Sequence, residues 1–163
     1  MHQSIHRNAV LFKLFLNEPL GGDLRSLPEA IALARQCPNV KFILNHLGAP
    51  EVKAGRLDPW RQHIRDLAAL PNVWGKMSSA ATPFNSPDWK PDQLKPYIAH
   101  VLECFGFQRT AYGSDWPVML AASTCPRWIE TLLWAVDGCS ESELRALFRN
   151  TATTFYRCAS RQV

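Results

Sequence analysis

Val40-Lys41-Phe42-Ile43-Leu44-Asn45-His46-Leu47-Gly48-Ala49-Pro50 is the stretch on which the fold turns. Its first five residues form a short, nearly continuous apolar run between the breaker pair Pro38-Asn39 and a Gly/Pro turn. Such a run suits a parallel strand buried on both faces. A helix is predicted just ahead of it. Ser26-Leu27-Pro28-Glu29 is a capping-box start, Leu27, Ile31 and Ala34 share one helical face, and Pro38-Asn39 stops the helix. Further upstream, Val10 to Leu16 is β-favouring and ends in the breaker group Asn17 to Gly22.

The same unit recurs downstream. Asp58-Pro59-Trp60 reads as a cap followed by proline at the first helical position, with Trp60, Ile64, Leu67 and Ala68 as the buried stripe. Pro71-Asn72 ends that helix, and Val73 to Met77 is the next strand. Beyond a loop rich in Ser, Pro and Asn (Ser78 to Asp88), Leu94, Ile98, Val101, Leu102 and Phe105 mark another amphipathic helix. Arg109 to Gly113 is a fourth strand. Helices from about Pro126 to Val136, and from the capping box Ser140-Glu141-Ser142-Glu143 through Phe148, follow. Alternating strands and helices on short connections imply parallel βαβ crossovers, hence a doubly wound sheet or part of a (β/α)8 barrel. Four units are about half of a barrel that takes roughly 250 residues.

Composition narrows the function classes. The chain has 163 residues, 47% of them apolar and 20% charged, as expected of one soluble globular domain. No apolar run reaches membrane-span length, and Met1 to Arg7 has no apolar signal core, so a cytoplasmic chain is expected. The balance of 18 Lys plus Arg against 14 Asp plus Glu gives a net charge of +4, scattered without a dense basic run, which gives nucleic-acid binding no support. The five cysteines lie far apart and form no C-x-x-C pair, which argues against both a zinc knuckle and a disulfide framework. Neither phosphate-cradling glycine motif is present.

In α/β folds reactive groups gather just past the C-terminal ends of strands. Two segments put ionisable residues there: His46 after Val40 to Leu44, and Asp115 in Tyr112-Gly113-Ser114-Asp115-Trp116-Pro117-Val118. A His and an Asp on neighbouring strand ends could hold a metal, or activate water and polarise a carbonyl. Taken alone, a strand-end His or Asp is more often a structural hydrogen-bonding group.

Three stretches, in order, resemble the amidohydrolase-related (amidohydrolase 2) family, in the branch of L-fuconolactonase-like enzymes and 2-pyrone-4,6-dicarboxylate lactonase. They are Cys37 to Pro50, with His46-Leu47-Gly48-Ala49-Pro50; Asn72 to Ser78; and Phe105 to Val118, with Gly113-Ser114-Asp115-Trp116-Pro117. Asn150 to Tyr156 looks like the family's closing helix. The resemblance implies the C-terminal part, about four βα units, of a TIM (β/α)8 barrel of the metal-dependent hydrolase type. The whole chain, 1–163, would form a single partial domain without its N-terminal βα units.

The resemblance also implies a hydrolase acting on a small sugar-acid or dicarboxylate lactone. Asp115 would be the base for water, and His46 would polarise the carbonyl or bind metal. Members of this branch differ in metal use, so it implies either a divalent metal (Zn or Mn) held by His46 and Asp115, or none. Lys76 and Trp116 are candidates for substrate binding; core or packing roles are the alternatives for both, as for Trp74. Arg25, Arg56 and Arg127 are each able to fork a carboxylate, and His63 and His100 fall within helices. The family's opening His-x-His is absent: His2 and His6 are four apart, ahead of the first strand. Asn45 stands where many relatives carry aspartate.

The isolated chain is therefore expected to be inactive and to self-associate through open sheet edges, with Phe42, Leu44 and Val73 turned to the barrel centre. The other readings are a metal-dependent decarboxylase of the same superfamily, or a truncated remnant acting as an interaction module.

Overall fold

Four short parallel strands lie side by side in chain order: β1 (Leu11–Leu14), β2 (Lys41–Leu44), β3 (Val73–Met77) and β4 (Thr110–Tyr112). The register runs Phe12 to Phe42 to Val73 and Gly75 to Thr110, so all four C-terminal ends share one rim. A computed structural model of the chain describes residues 11–14, 26–78 and 80–158. The remainder of the Val10 to Leu16 run, the Asn17 to Gly22 breakers, His2, His6 and Arg25 lie outside the described residues.

Each strand-to-strand connection carries a helix: α1 (Leu27–Gln36), α2 (Trp60–Ala68) and α3 (Pro91–Phe105). Three more follow β4: α4 (Cys125–Ala135), α5 (Glu141–Arg145) and α6 (Thr151–Tyr156). Ser26 Oγ accepts from the Glu29 N–H at 3.5 Å and opens α1, whose stripe Leu27, Ala30, Ile31 and Ala34 is buried. The α2 stripe is the one the periodicity predicts, but its entry differs. Pro59, not Asp58, occupies the cap position, and the Asp58 carboxylate accepts from Arg61 at 3.3 Å instead. The C-terminal helix is also less regular than its pattern suggests: a wide π-helical turn over Ala146–Asn150 joins α5 to α6.

The units are locked together at helix C-termini, whose last carbonyls need donors. Asn72 Nδ2 reaches the carbonyls of Ala34, Cys37 and Val40 at 3.0–3.1 Å. Arg109 does the same one unit later, donating to Ala68, Leu70 and Val73 carbonyls at 2.9–3.3 Å. In each case a residue just ahead of one strand donates to the end of the helix that precedes the neighbouring strand.

Side chains alternate between the two faces of the sheet. Phe42, Leu44, Val73 and Met77 pack with Leu27, Ile31, Ile64, Leu94, Ile98 and Leu132 in the main core. Their neighbours Ile43 and Ala111, with Trp74, face the other way and pack on Phe155, Ala152 and Tyr156 of α6. The expectation that Phe42, Leu44 and Val73 turn to a barrel centre is thus reversed: they lie on the helix side. No helix of the described residues is long and apolar enough to cross a membrane.

Candidate active site

Three consecutive strand ends bring polar groups together on the shared rim. After β2, Asn45 leads into a tight turn over His46–Gly48, closed by Gly48 N–H to Asn45 O at 2.9 Å and Ala49 N–H to His46 O at 2.8 Å. His46, Leu47, Gly48 and Ala49 all have φ between 50° and 74°, in the left-handed region. Non-glycine residues held there cost on the order of 1 kcal/mol each and persist only where their surroundings over-determine them. Here Leu47 is buried and its carbonyl accepts from Trp60 Nε1 at 2.7 Å. A Cβ on Gly48 would meet Leu27 and Leu44 at 3.0 and 3.1 Å, so glycine is required at that position.

The loop after β4 is built on a similar departure. Asp115 has φ 62°, its carbonyl accepts from Met119 N–H at 2.9 Å, and Ser114 Oγ accepts from Trp116 N–H at 3.2 Å. Met119 is buried and anchors the loop. The result places Asp115 Oδ1 3.9 Å from His46 Nδ1. Between them, after β3, stands Ser78, fully buried, with Oγ 3.0 Å from the same His46 nitrogen. Ser78 is the residue that the sequence reading passed over. Counting alternation through Trp74, Lys76 and Ser78 would have put it on the Lys76 face.

Lys76 lies on that same face: its Cε would stand 2.9 Å from a Cβ added to Gly113 of the adjoining strand end. Trp116 is not drawn in; its ring is 70% exposed, so it does not pack beneath the Asp115 loop. Arg127 is committed to the carbonyls of Pro87 and Trp89 at 2.5 and 2.7 Å, with its guanidinium 4.0 Å from the Trp89 ring. Arg56 pairs with Glu51. His100 is buried between α2 and α3, with Nε2 2.9 Å from the Arg61 carbonyl, and His63 lies in α2. Trp74 packs on Phe155 at 5.4 Å between ring centres. Just behind the rim, burial raises the Tyr112 hydroxyl far above its ordinary range, helped by its contact with Cys125 Sγ at 3.6 Å.

A catalytic zinc takes three protein ligands and an open position. Among the described residues no three His, Cys, Asp or Glu side chains converge, so His46 and Asp115 supply two donors at most. Asn45 Oδ1 is buried without a hydrogen-bond partner, yet it is a neutral amide oxygen and adds no charge to the set. The donor set of the described residues does not fit a resident divalent metal.

Known proteins of similar sequence and structure point to one family. A family model described as Amidohydrolase matches residues 2–158. An L-fucono-1,5-lactonase of Burkholderia ambifaria is 34% identical over 139 residues, which cover 82% of this chain and 47% of that protein. A zinc-bound amidohydrolase structure from Burkholderia multivorans superposes with a TM-score of 0.73 at 30% identity, over 82% of this chain and 49% of its own. A Pseudomonas putida structure, described as a candidate 2-pyrone-4,6-dicarboxylic acid hydrolase, shares the fold with a TM-score of 0.64 at 22% identity, over 81% and 49%. The chain spans about half the length of the curated relatives it matches. With its parallel strands, its connecting helices and the match across residues 2–158, the chain belongs to the amidohydrolase family.

Proposed function

We propose that this chain carries one half of a (β/α)8 barrel whose rim hydrolyses a small sugar-acid lactone. The observation that carries the reading is the convergence of His46 and Asp115, 3.9 Å apart, on neighbouring strand ends of one rim. Two such groups stand close enough to flank a single carbonyl carbon. The lactonase name of a relative 34% identical supports the substrate class, and the sequential parallel sheet supports the barrel half.

In this reading Asp115 takes a proton from water as the water oxygen bonds to the lactone carbonyl carbon. His46 donates to the carbonyl oxygen as negative charge develops there. The ring C–O bond then breaks, and the proton held by Asp115 passes to the departing alkoxide, giving the open hydroxy acid. Lys76 faces the substrate oxygens, and Trp116 offers an exposed apolar surface at the rim to the sugar ring. This chain supplies the strand ends of one half of the rim, and the substrate would be enclosed by those of the other half.

The test is a chimera joining the unmatched part of the B. ambifaria L-fucono-1,5-lactonase to this chain. It is expected to hydrolyse L-fucono-1,5-lactone, and Asp115→Asn to lower kcat by about 10²–10⁴-fold, the usual contribution of a positioned acid–base group. Circular dichroism should remain unchanged. A folded chimera in which Asp115→Asn keeps full activity would place the base elsewhere.

A further inference from the structure

The Ser78–His46 contact points to where the imidazole proton sits, beyond the lactonase reading above. It rests on that reading only for its meaning in catalysis. A neutral imidazole carries its proton on one nitrogen, and the partner of the other nitrogen decides which. Among the groups near His46 Nδ1 are two of different character, the Asp115 carboxylate and the Ser78 hydroxyl. The Asp115 carboxylate is an acceptor only and would draw a proton onto Nδ1. The Ser78 hydroxyl accepts or donates, and does whichever its surroundings leave to it.

Distance favours Ser78. At 3.0 Å its Oγ is within hydrogen-bond reach, whereas Asp115 Oδ1 at 3.9 Å is beyond it. Burial then decides the direction. Ser78 is 0% exposed, and among the described residues its hydroxyl has no hydrogen-bond partner except His46 Nδ1. With a proton on Nδ1, the Ser78 oxygen would accept it and the serine's own proton would be left buried without an acceptor, a loss on the order of 1–3 kcal/mol. The pair satisfies itself in one way: the Ser78 O–H donates into the Nδ1 lone pair.

We infer that Ser78 is a positioning residue that keeps His46 in the Nε2–H tautomer, so that the ring meets substrate as a donor. This tautomer is the one that polarising a carbonyl requires. The other would make His46 a second base beside Asp115 and take away the histidine donor to the carbonyl oxygen. Ser78 itself does not touch the reacting atoms.

The tautomer is readable without turnover, from long-range proton–nitrogen correlation spectra of the ¹⁵N-labelled, metal-free full chain. The spectra are read on the high-pH plateau, where the signals of the neutral ring no longer move. His46 is assigned by the signal lost in His46→Asn. In the native chain its Nε2 is expected to be pyrrole-like and its Nδ1 pyridine-like. Ser78→Ala should shift the ring to a mixture or to the Nδ1–H form, and Ser78→Thr, which keeps the hydroxyl, should restore the native pattern. A native His46 found as Nδ1–H overturns the inference, and needs no variant to do so. So does a folded Ser78→Ala chain with an unchanged tautomer, since a merely structural serine would alter stability alone. A failed chimera with the expected tautomer counts against lactone hydrolysis only; the wrong tautomer in an active chimera counts against Ser78 only.

Discussion

Gly113 shows how closely the candidate site depends on single atoms. A Cβ there would sit 2.9 Å from Lys76 Cε and 3.1 Å from Ser78 Cβ. The lysine end can swing aside; the fully buried serine cannot. Gly113→Ala is therefore expected to lower stability by about 1–3 kcal/mol, the usual cost of overpacking, seen as a lower urea midpoint. It should also disturb His46 in the nitrogen spectra. An unchanged midpoint would mean that β4 has room to shift. At this scale the sequence reveals much of the site. His46 and Asp115 are legible because they follow strand patterns within distinctive flanks. Ser78 is not, since serine at the start of a Ser/Pro/Asn loop looks like turn chemistry until its strand parity is counted. Arg56 and Arg127 look equally suited to bind anions, and only their actual partners, a carboxylate and two carbonyls, remove that impression.

Among the elements, the start of α5 is the best-defined local device. Ser140 Oγ caps the Glu143 N–H at 3.3 Å, while the Glu143 carboxylate accepts from the Ser140 N–H at 2.8 Å and its hydroxyl at 2.7 Å. Ser140→Ala is expected to cost about 1 kcal/mol, the typical value of such a cap, measured by thermal unfolding. The same hydrogen bonds hold the Glu143 carboxyl below its ordinary range. A depressed carboxylate stabilises the fold above its unfolded pKa and loses that contribution as pH falls through its folded value. Tm should thus fall between about pH 5 and pH 3 more steeply in the native chain than in Glu143→Gln. Equal slopes would show that the box does not persist in solution. This box, the α1 cap and the helical stripes are all legible in sequence, because each is a local rule. The facing of the strands is not: a run apolar on both sides, such as Phe42-Ile43-Leu44, carries no alternation to tell one face from the other. Asp58 misleads for a related reason. An acid before Pro59 looks like a cap, but it accepts from Arg61 one turn further on.

At the scale of the molecule the decisive feature, among the described residues, is a sheet that does not close on itself. Among the described residues β1 pairs only with β2 and β4 only with β3, so two edges present unpaired backbone groups. Val118 and Leu120, more than half exposed, add apolar surface near the β4 edge and the rim. The isolated chain is expected to elute above its 18.4 kDa mass in size-exclusion chromatography, and to shift further with concentration. A monomer at every concentration, unfolding cooperatively, would show that the edges are covered some other way.

The packing of α6 has one more consequence, for the order in which the structure assembles. Strands β1 to β4 pair with their neighbours in sequence, and most of the main core joins each helix to the strands beside it. Those pairings join residues 30 to 35 apart, such as Leu11 and Lys41 or Gly75 and Thr110, and so close much shorter loops than a contact from the last helix to β2. Phe155 is the exception: it reaches back across nearly the whole described chain to Ile43 and Trp74. That contact must wait for synthesis of the last helix and for β2, β3 and β4 to be aligned, so it is the late step. Phe155→Ala should cost about 3–5 kcal/mol, and nearly all of it should appear as faster unfolding, with the refolding rate little changed. A comparable slowing of refolding would mean that the C-terminal helix docks before the sheet is complete.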